Sequence, residues 1–254
     1  MTQLTARPLP GLPEIAEGAD LAALVVQAAA RAGETVDDTV VLVLAHKVVS
    51  KAEGAVVALG NVTASEQAEA LAAALGKPDA RAVQVVLDEC AEVVRAERGV
   101  IIGRTRHGFV CANAGVDGSN VADPDDLVLL PRDPDASARR LRAELRELTG
   151  AAPAVVISDS FGRAWRHGQL DVAIGCAGLA PLQDWRGRHD SVGRELQATV
   201  IAVADGAAAA ADLARAKDSR EPAVLVRGLG AHVGSADGPG AAAIVRARAE
   251  DLFR

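Results

Sequence analysis

Aromatic side chains are nearly absent from this chain of 254 residues. It contains two Trp, three Phe and no Tyr, and aromatic residues make up 2% of the sequence. The core must therefore be built from Ala, Val, Leu and Ile. Proteins that bind single-stranded nucleic acid commonly stack the bases on aromatic rings. The shortage of such rings argues against that class of protein.

Positively charged residues are also fewer than negatively charged ones. Lys and Arg together number 27 against 34 Asp and Glu, so the formal net charge is −7 at pH 7. Binding to a nucleic-acid backbone depends on cations that neutralise its phosphates. The charge balance argues against a nucleic-acid partner and favours a soluble protein with small or cationic ligands.

Cysteines and long apolar runs are scarce as well. Cys90, Cys111 and Cys176 are widely spaced and include no C-x-x-C pair, which predicts neither a zinc site nor a disulfide framework. We expect three buried, reduced thiols. The N-terminus lacks a basic segment followed by an apolar run, and no stretch of about eighteen residues is apolar and free of charge. These absences predict a cytoplasmic protein that does not contact a membrane.

The chain alternates between helical and extended patterns. Helices are predicted over residues 20–33, 63–76, 80–97, 135–150, 194–217 and 240–254. Thr63 and Glu66 have the spacing of a capping box, and the helix over 135–150 is expected to be exposed with a solvated basic side. Strands are predicted within 37–59 after an initial turn, over 99–105 and 108–115 as a hairpin, and over 153–161, 172–175 and 222–230.

The order of these elements favours an α+β fold with mixed or antiparallel sheets, or an α/β fold with antiparallel pairs, over a doubly wound sheet. The length suits a single domain over residues 1–254, with a weak internal boundary near residues 122–136.

Three stretches carry polar groups that packing alone does not require. In "VVSKAEG", residues 48–54, Ser50, Lys51 and Glu53 follow an apolar strand. Charge at such a place is typical of a protected edge strand. The alternative is that Lys51 binds phosphate, for which its compact charge is suited.

The second stretch is "RHGFVCANAGVDGSNV", residues 106–121, in which Asn113, Asp117, Ser119 and Asn120 lie among glycines. Such residues are common in turns for conformational reasons alone. A second carboxylate, Asp159, favours a functional reading, because two Asp at strand ends supply hard oxygen ligands for Mg²⁺ or Mn²⁺ on nucleotide phosphates. Such a cation neutralises the charge of a transferring phosphoryl group.

The third stretch is "ISDSFGRAWRHGQ", residues 157–169. Asp159 and Ser160 follow an apolar run at the point where an ordinary turn is expected. Arg163, Arg166 and His167 come next and offer several donors to an anionic substrate. A surface ion-pair cluster is the alternative reading.

Several familiar signatures are missing. No G-x-x-x-x-G-K-[ST] motif occurs, so a bound nucleotide would not lie on a standard P-loop. The "GLGAHVG" at residues 228–234 has the wrong spacing for dinucleotide binding and is interpreted as a loop. Neither a zinc-ligand spacing of histidines nor a G-x-S-x-G elbow is found.

The segments "GLPEI", "VVSKAEG", "RHGFVCANAGVDGSNV" and "ISDSFGRAWRHGQLDVAIGCAGLAPLQDWRGRHDSVGRELQAT" together resemble the coenzyme F420-0:L-glutamate ligase family, and they do so in order from about Leu12 to about Gly228. The resemblance implies an α+β fold in an intertwined homodimer with the site near the subunit interface. It also implies GTP-dependent ligation of L-glutamate to F420-0 through an acyl phosphate, followed by γ-linked addition of further glutamates. Some members carry a C-terminal flavin-dependent domain, and the length of this chain predicts the stand-alone form.

Carried over by motif, the resemblance implies roles for individual residues. Lys51 matches the phosphate-binding lysine, and Asn120 matches a nucleotide-contacting asparagine. Asp117 and Asp159 match metal-binding aspartates, and Ser160 replaces a more usual Thr while keeping the hydroxyl. Lys51 and Asp159 are thereby the expected catalytic residues. Mg²⁺ or Mn²⁺ at two sites is the expected metal, with K⁺ as a further cation and GTP as co-substrate.

Other GTP contacts are implied with less complete motif matches. His46 and Lys47 take nucleotide-contact positions, which leaves open whether their side chains or only their backbone groups contribute. Ala164 stands where Pro is commoner, and Ala216 stands where Gly is usual. The remaining implied contacts are Leu12, Pro13, Glu14, Ile15, Arg215, Ala216, Lys217, Asp218, Ser219, Arg220, Glu221 and Pro222.

Lys217 departs from the pattern in a way that affects the metal. A Gln at this place would help to bind a second ion, whereas a charged lysine cannot do so. The ligands of the second metal are therefore left open. Two alternatives to the ligase also stay open, an amide ligase with a different carboxylate acceptor and a non-catalytic nucleotide-binding regulator.

Overall fold

The computed structural model describes residues 3–121 and 123–251. The strands are β1 (Thr5–Pro8), β2 (Val41–Ala45), β3 (Val56–Ala58), β4 (Cys90–Glu97), β5 (Val100–Thr105), β6 (Val110–Ala112), β7 (Asp126–Val128), β8 (Ala154–Arg163), β9 (Arg166–Ala177), β10 (Leu182–Asp184), β11 (Val200–Ala202) and β12 (Ala223–Arg227). The α-helices are α1 (Leu21–Arg31), α2 (His46–Ala52), α3 (Glu66–Leu75), α4 (Ala80–Glu89), α5 (Pro134–Thr149) and α6 (Val203–Ala214). No helix among these residues is long and apolar enough to cross a bilayer.

A five-stranded mixed sheet lies at the centre, in the order β1-β12-β2-β8-β9. β2 and β8 are parallel, with Leu44 opposite Ile157, and every other neighbouring pair in this sheet is antiparallel. Smaller antiparallel sheets are formed by β3-β7, by β4-β5-β6 and by β10-β11. The predicted α+β fold with mixed and antiparallel sheets and flanking helices is confirmed.

The central sheet is covered on both faces because alternate side chains of a strand point to opposite sides. Leu44 and Ile157 lie on one face in a core cluster with residues of α1 and α5. Val43 and Val156 lie on the other face with the alanines of α6. Each of these four side chains is fully buried, which stabilises the fold by about 1.5–3 kcal/mol per large apolar side chain.

A third core cluster lies outside the central sheet. It joins α3 and α4 to the sheet β4-β5-β6 through buried residues that include Val83, Val86, Ile101 and Val116. The predicted hairpin over 99–105 and 108–115 is confirmed, because β5 and β6 pair antiparallel. β7, which lies within the expected boundary segment, pairs with β3.

Side-chain N-caps mark where α1 and α3 begin. Asp20 accepts a hydrogen bond from Ala23 N at 2.9 Å, so the predicted start of α1 is confirmed. The predicted capping box from Thr63 is wrong. Ser65 is the N-cap of α3 and accepts from Ala68 N at 3.2 Å, while its own N and Oγ both donate to Gln84.

Residues 46–52 form a helix, whereas a strand was predicted to continue through them. The strand β2 ends at Ala45, and the next seven residues turn into α2 with His46, Val48, Val49 and Ser50 buried. β-Branched residues have a helix propensity only slightly lower than that of other apolar residues. Burial of one face of the helix outweighs this small loss. Lys51 consequently lies on a helix and not at a strand end.

Residues 90–97 form a strand, whereas a helix was predicted to continue to residue 97. Arg98 and Gly99 have φ of 54° and 78°, and Glu97 pairs with Val100. A two-residue turn with both central φ values positive matches the twist of a hairpin. Pairing with β5 therefore overrides the helical pattern after Glu89.

Two predicted helices are much shorter in the structure. The helix predicted over 194–217 is confirmed only as α6, and the three residues before it form β11, which pairs with β10. In place of a helix over 240–254 there are short 3₁₀ turns at Ala241–Ile244 and Arg248–Glu250, and residues 252–254 lie outside the described residues. Ala241 N and Ala242 N donate to the buried Asp135, which anchors the first of these turns to α5.

The basic side of α5 is not fully solvated as predicted, because Arg142 is 5% exposed. Its guanidinium donates to a ring of acceptors in the loops before β8 and after β12. These are Ala152 O, Pro153 O, Gly234 O, Ser235 O and Asp237 Oδ1, at 2.6–3.3 Å. Arg142 is therefore part of the core of the fold.

Candidate active site

The short helix α2 carries two lysines on one face. Lys47 and Lys51 are four residues apart, so their side chains are neighbours on the helix surface. Their side chains are 18% and 13% exposed. β2 leads directly into this helix, so the central sheet fixes where both ammonium groups lie.

Lys47 binds the loop that follows β6. Its Nζ lies 2.7 Å from Asp117 Oδ2, 2.9 Å from Ser119 O and 2.5 Å from Ser119 Oγ. Ser119 N donates to Asp117 Oδ1 at 2.6 Å. The loop thus folds around the lysine, and the Lys47 side chain itself reaches the predicted metal ligand.

Lys51 joins the same loop to the N-terminal segment. Its Nζ forms an ion pair with Glu14 and donates to Asn120 O at 2.7 Å. Asn120 has φ of 57°, a left-handed conformation that asparagine tolerates better than most residues. The structure therefore brings together three predicted groups, which are the segment Leu12, Pro13, Glu14 and Ile15, the lysines, and the loop 117–120.

Asp159 approaches α2 from the sheet. Its Oδ1 accepts from Ser160 N at 2.8 Å and lies 3.3 Å from Nε2 of His46. His46 is 2% exposed, its Nδ1 lies 3.3 Å from Ser50 Oγ, and its Nε2 makes no hydrogen bond within the described part of the chain. His46 and Lys47 are consecutive, so the two predicted metal-binding carboxylates both lie beside the first turn of α2.

Asp159 and Ser160 lie within β8, so the strand predicted over 153–161 is confirmed, and the strand continues to Arg163 where a turn was expected. Consecutive strand residues face opposite ways, and their contacts follow this rule. Asp159 contacts His46, whereas Ser160 Oγ donates to Asp171 Oδ1 at 2.6 Å and accepts from Lys217 Nζ at 2.7 Å. The two side chains therefore serve different faces of the sheet.

Asp171 is a site neighbour that the sequence reasoning missed. It is 1% exposed, accepts from Ser158 Oγ at 2.7 Å and forms an ion pair with Arg215. The sequence did offer a signal, because a carboxylate lies inside the extended pattern "QLDVAIG". Since an unpaired buried charge is rare, such a carboxylate indicates an ion-pair partner elsewhere in the chain. The partner lies 44 residues later in the chain, so the pattern could not identify it.

The loop 215–222 lies beside the start of α2. Pro222 O accepts from Ala45 N at 2.9 Å and from Arg215 Nη1 at 3.2 Å. Ser219 donates to Ala216 O, and Arg220 has φ of 57°. Two of the predicted GTP contacts in this loop reach the network around Asp171: Arg215 contacts Asp171 directly, and Lys217 donates to Ser160 Oγ. The predicted contacts in this loop are Arg215, Ala216, Lys217, Asp218, Ser219, Arg220, Glu221 and Pro222.

Arg163, Arg166 and His167 lie at the exposed tip of the β8–β9 hairpin. Arg163 Nη2 donates to His167 O at 3.1 Å. Four residues of extended strand, from Asp159 to Arg163, span about 13 Å. Among the described residues, no hydrogen bond or ion pair joins these three residues to the lysines of α2, and their substrate role stays a prediction.

The electrostatics of the site favour ionised groups. Burial acts to raise the pKa of Asp117, but hydrogen bonds from Lys47 and Ser119 and the charge of Lys47 outweigh it, so the pKa lies below its ordinary value. Asp117 is thus a carboxylate at neutral pH. Burial, with the nearby Asp159 carboxylate, raises the pKa of Cys111 to about 12, which keeps this neighbouring thiol protonated.

The donors around Asp117 and Asp159 fit a Mg²⁺ or Mn²⁺ ion that also binds phosphate. Both are hard oxygen ligands, and an ion bound at Asp117 would take the place of the Lys47 ammonium, which lies 2.7 Å from Oδ2. No group of three His, Cys, Asp or Glu residues suited to a metal occurs among residues 3–121 and 123–251. Mg²⁺ commonly takes one or two carboxylates and completes its shell with phosphate oxygens and water, so a closed protein cage is not required.

A second ion does not fit at Ser160 with the side chains as they lie. Lys217 Nζ is 2.7 Å from Ser160 Oγ and 3.7 Å from Asp212 Oδ1. An ammonium in this place repels another cation. Lys217 would have to move away before Ser160 could help to bind a second ion, and the ligands of that ion stay a prediction.

Comparisons with known proteins identify the family of this chain. The profile of the family described as F420-0:Gamma-glutamyl ligase matches residues 11–228. A Methanothermobacter thermautotrophicus protein named Coenzyme F420:L-glutamate ligase is 44% identical over 246 residues, covering 96% of each chain. Proteins with the same name from Methanopyrus kandleri (44% identity, 99% of this chain and 98% of the relative) and Haloarcula marismortui (45%, 89% and 88%) are similarly close. The matched region includes Lys51, Asp117 and Asp159. The chain belongs to the F420-0:γ-glutamyl ligase family.

Proposed function

We propose that this chain catalyses the GTP-dependent ligation of L-glutamate to coenzyme F420-0 through an acyl phosphate, and then adds further glutamates through their γ-carboxyls. The family and the names of the relatives support ligation of glutamate to F420. One structural observation carries the GTP-dependent mechanism. Lys47 and Lys51 lie side by side on one face of α2, and two neighbouring ammonium groups are the kind of donors that bind phosphate oxygens.

The two lysines differ in how they would receive phosphate. Lys51 is paired with Glu14, whose side chain is 72% exposed and therefore free to move aside. Lys47 is held by three acceptors of the loop 117–120 and is more tightly fixed. An ammonium carries three donors and a compact charge. We assign Lys51 to the transferred phosphoryl group and Lys47 to the organisation of the loop around it.

The chemistry proceeds in two balanced steps. A carboxylate oxygen of F420-0 attacks the γ-phosphorus of GTP, the bond to the bridging oxygen breaks, and GDP leaves. The amino nitrogen of L-glutamate then attacks the acyl carbon, the bond to the phosphate oxygen breaks, and phosphate and a proton leave. Positioning and charge stabilisation supply most of the catalysis in phosphoryl transfer, which is consistent with a site made of cations and carboxylates.

Asp117 and Asp159 are the residues that would hold a Mg²⁺ or Mn²⁺ ion. Such an ion, when bound, neutralises charge on the phosphate oxygens. Asp159 is held in place by Ser160 N and lies against the buried His46. We infer that His46 acts through the position of Asp159, whereas direct contact with the nucleotide is assigned to Lys51.

The resemblance also motivates a homodimer, which we propose as the working assembly. The sheet β4-β5-β6 exposes Val93, Val94, Val100 and Val110, each 38–43% exposed. Exposed apolar clusters commonly mark protein interfaces. Sedimentation equilibrium should give twice the 26.0 kDa chain mass, and a monomer mass at micromolar concentration would contradict the proposal.

The function is tested by incubating the protein with F420-0, GTP, L-glutamate and Mg²⁺ or Mn²⁺ and identifying the products by mass spectrometry. The expected products carry one or more added glutamate residues, with one GDP and one phosphate released per residue. Phosphate release must require both F420-0 and glutamate. Turnover with another carboxylate but not F420-0 would favour the alternative amide ligase, and tight GTP binding without turnover would favour the regulator.

A further inference from the structure

Asp171 lies at the centre of a buried polar network beside the proposed site. It is opposite Ser160 in the register of β8 and β9. One carboxylate oxygen accepts from Ser160 Oγ at 2.6 Å, and the other accepts from Ser158 Oγ at 2.7 Å and pairs with Arg215. All these groups lie on the α6 face of the sheet, on the other side from Asp159.

The network determines the direction of the Ser160 hydroxyl. A serine hydroxyl has one proton and two lone pairs. The proton is directed to Asp171, so the lone pairs face the loop 215–222, from which Lys217 Nζ donates at 2.7 Å. Ser160 is therefore presented to the loop as an acceptor.

The same network closes the base of the loop. Arg215 begins the loop and Pro222 ends it, and Arg215 Nη1 donates to Pro222 O at 3.2 Å while Nη2 reaches Asp171. Pro222 O also accepts from Ala45 N, the residue before α2. One guanidinium thus ties both ends of the loop to the strand pair β8–β9 and to the start of the lysine-bearing helix.

We propose that Asp171 and Arg215 are positioning residues that hold the loop 215–222 and the Ser160 hydroxyl in place for nucleotide binding. The inference about the nucleotide rests on the proposed function, whereas the hold on the loop does not. Asp171 is buried and acts through Arg215 and Ser160, so it is not itself a catalytic residue. Breaking one partner of a buried ion pair leaves the other charge uncompensated, which makes the loop dependent on both.

The experiment compares the full-length protein with Asp171→Asn and with a control, Asp135→Asn. Asp135 is another buried carboxylate, 8% exposed, but it accepts from Cys176 N and Ala241 N away from the loop. Trypsin cleavage after Lys217 and Arg220 reports how well the loop is held. Affinity for GTP with Mg²⁺, measured without acceptor or glutamate, reports the nucleotide site.

We expect Asp171→Asn to increase the rate of cleavage in the loop at least tenfold and to weaken GTP binding about tenfold. For Asp135→Asn, the cleavage rate and the GTP affinity, each corrected for the fraction of folded protein, should equal those of the wild type. Because Asp171→Asn removes a buried charge partner, Arg215→Lys serves as a second variant. It keeps a charge opposite Asp171 but cannot also bind Pro222 O, so loop cleavage should rise with little loss of unfolding free energy.

Unchanged cleavage and unchanged GTP affinity in both Asp171→Asn and Arg215→Lys would overturn the proposal. The same holds if Asp135→Asn accelerates loop cleavage equally, since the effect would then be general destabilisation. Faster cleavage in a protein whose wild type binds no GTP would support the hold on the loop and would count against the proposed GTP-dependent function.

Discussion

The ammonium of Lys47 lies 2.7 Å from Oδ2 of Asp117, and the adjacent His46 lies 3.3 Å from Oδ1 of Asp159. Two consecutive residues of α2 therefore each contact one of two carboxylates that come from distant parts of the chain. This relationship places the two proposed metal ligands beside the first turn of α2.

Asp117→Asn and Asp159→Asn should each lower the ligation rate more than about 100-fold, because even outer partners of a metal ligand typically contribute 10–100-fold to metal affinity or activity. Circular dichroism should show an unchanged fold. Asp125→Asn, an exposed carboxylate in the following loop, is the control and should keep full activity. Near-wild-type turnover in either site variant would contradict the assignment.

Lys51→Met should weaken GTP binding about 10- to 100-fold, since a charge-assisted hydrogen bond to phosphate contributes about 1.5–3 kcal/mol. The unfolding free energy should change by less than about 1 kcal/mol, because the Lys51 pair with the exposed Glu14 contributes little to stability. Isothermal titration calorimetry and urea denaturation measure the two effects. Lys77→Met, on the loop before α4, should change neither, and equal GTP affinity in all three proteins would exclude the phosphate role of Lys51.

The three thiols are free, and Cys111 and Cys176 are buried whereas Cys90 is half-buried. Burial raises the pKa of Cys111 and Cys176 to about 12, with Asp159 and Asp135 respectively as nearby carboxylates. At pH 8 a disulfide reagent should modify Cys90 first and reach the other two only on unfolding. Equal rates at all three thiols in the native protein would contradict the buried assignment.

The same pKa values predict a loss of stability in alkali. The unfolded thiols ionise near pH 9 while the folded ones stay protonated, so the unfolded state gains stability as pH rises from 9 towards 12. Each of Cys111 and Cys176 should cost about 1.4 kcal/mol of unfolding free energy at pH 10. Cys111→Ala and Cys176→Ala, compared with wild type by urea denaturation at pH 8 and pH 10, should each show a smaller decrease than wild type. An identical decrease in all three proteins would count against the prediction.

Arg142→Met should lower the unfolding free energy by about 3–5 kcal/mol, because it leaves Asp237 and four carbonyl groups without their donor. Arg146→Met, one turn later on the exposed side of α5, is the matched control and should change stability by no more than about 0.5 kcal/mol. Urea denaturation at neutral pH compares the two. Equal changes in unfolding free energy for the two variants would show that the buried guanidinium of Arg142 does not stabilise the fold.

Much of the central sheet could be predicted because its strands have a purely local signature. β8 and β12 are apolar runs bounded by turns. Outside the central sheet, the β5–β6 hairpin could also be predicted, because its two strands are close in sequence. α1 could be predicted from Asp20 and its apolar periodicity. By contrast, α2 and β4 depend on burial against distant residues and on pairing with β5, and such tertiary terms override propensity.

Lys51, Asp117 and Asp159 could be identified from local motifs, because each motif contains residue types suited to phosphate or metal binding. What each of them contacts depends on how distant segments pack in the fold. The fold places Lys51 on a helix and directs the side chains of Asp159 and Ser160 to opposite faces of the sheet. It also pairs Asp171 with Arg215, which lies 44 residues later in the chain. The physical reason is that a buried carboxylate needs a partner in space, and the fold alone brings that partner to it.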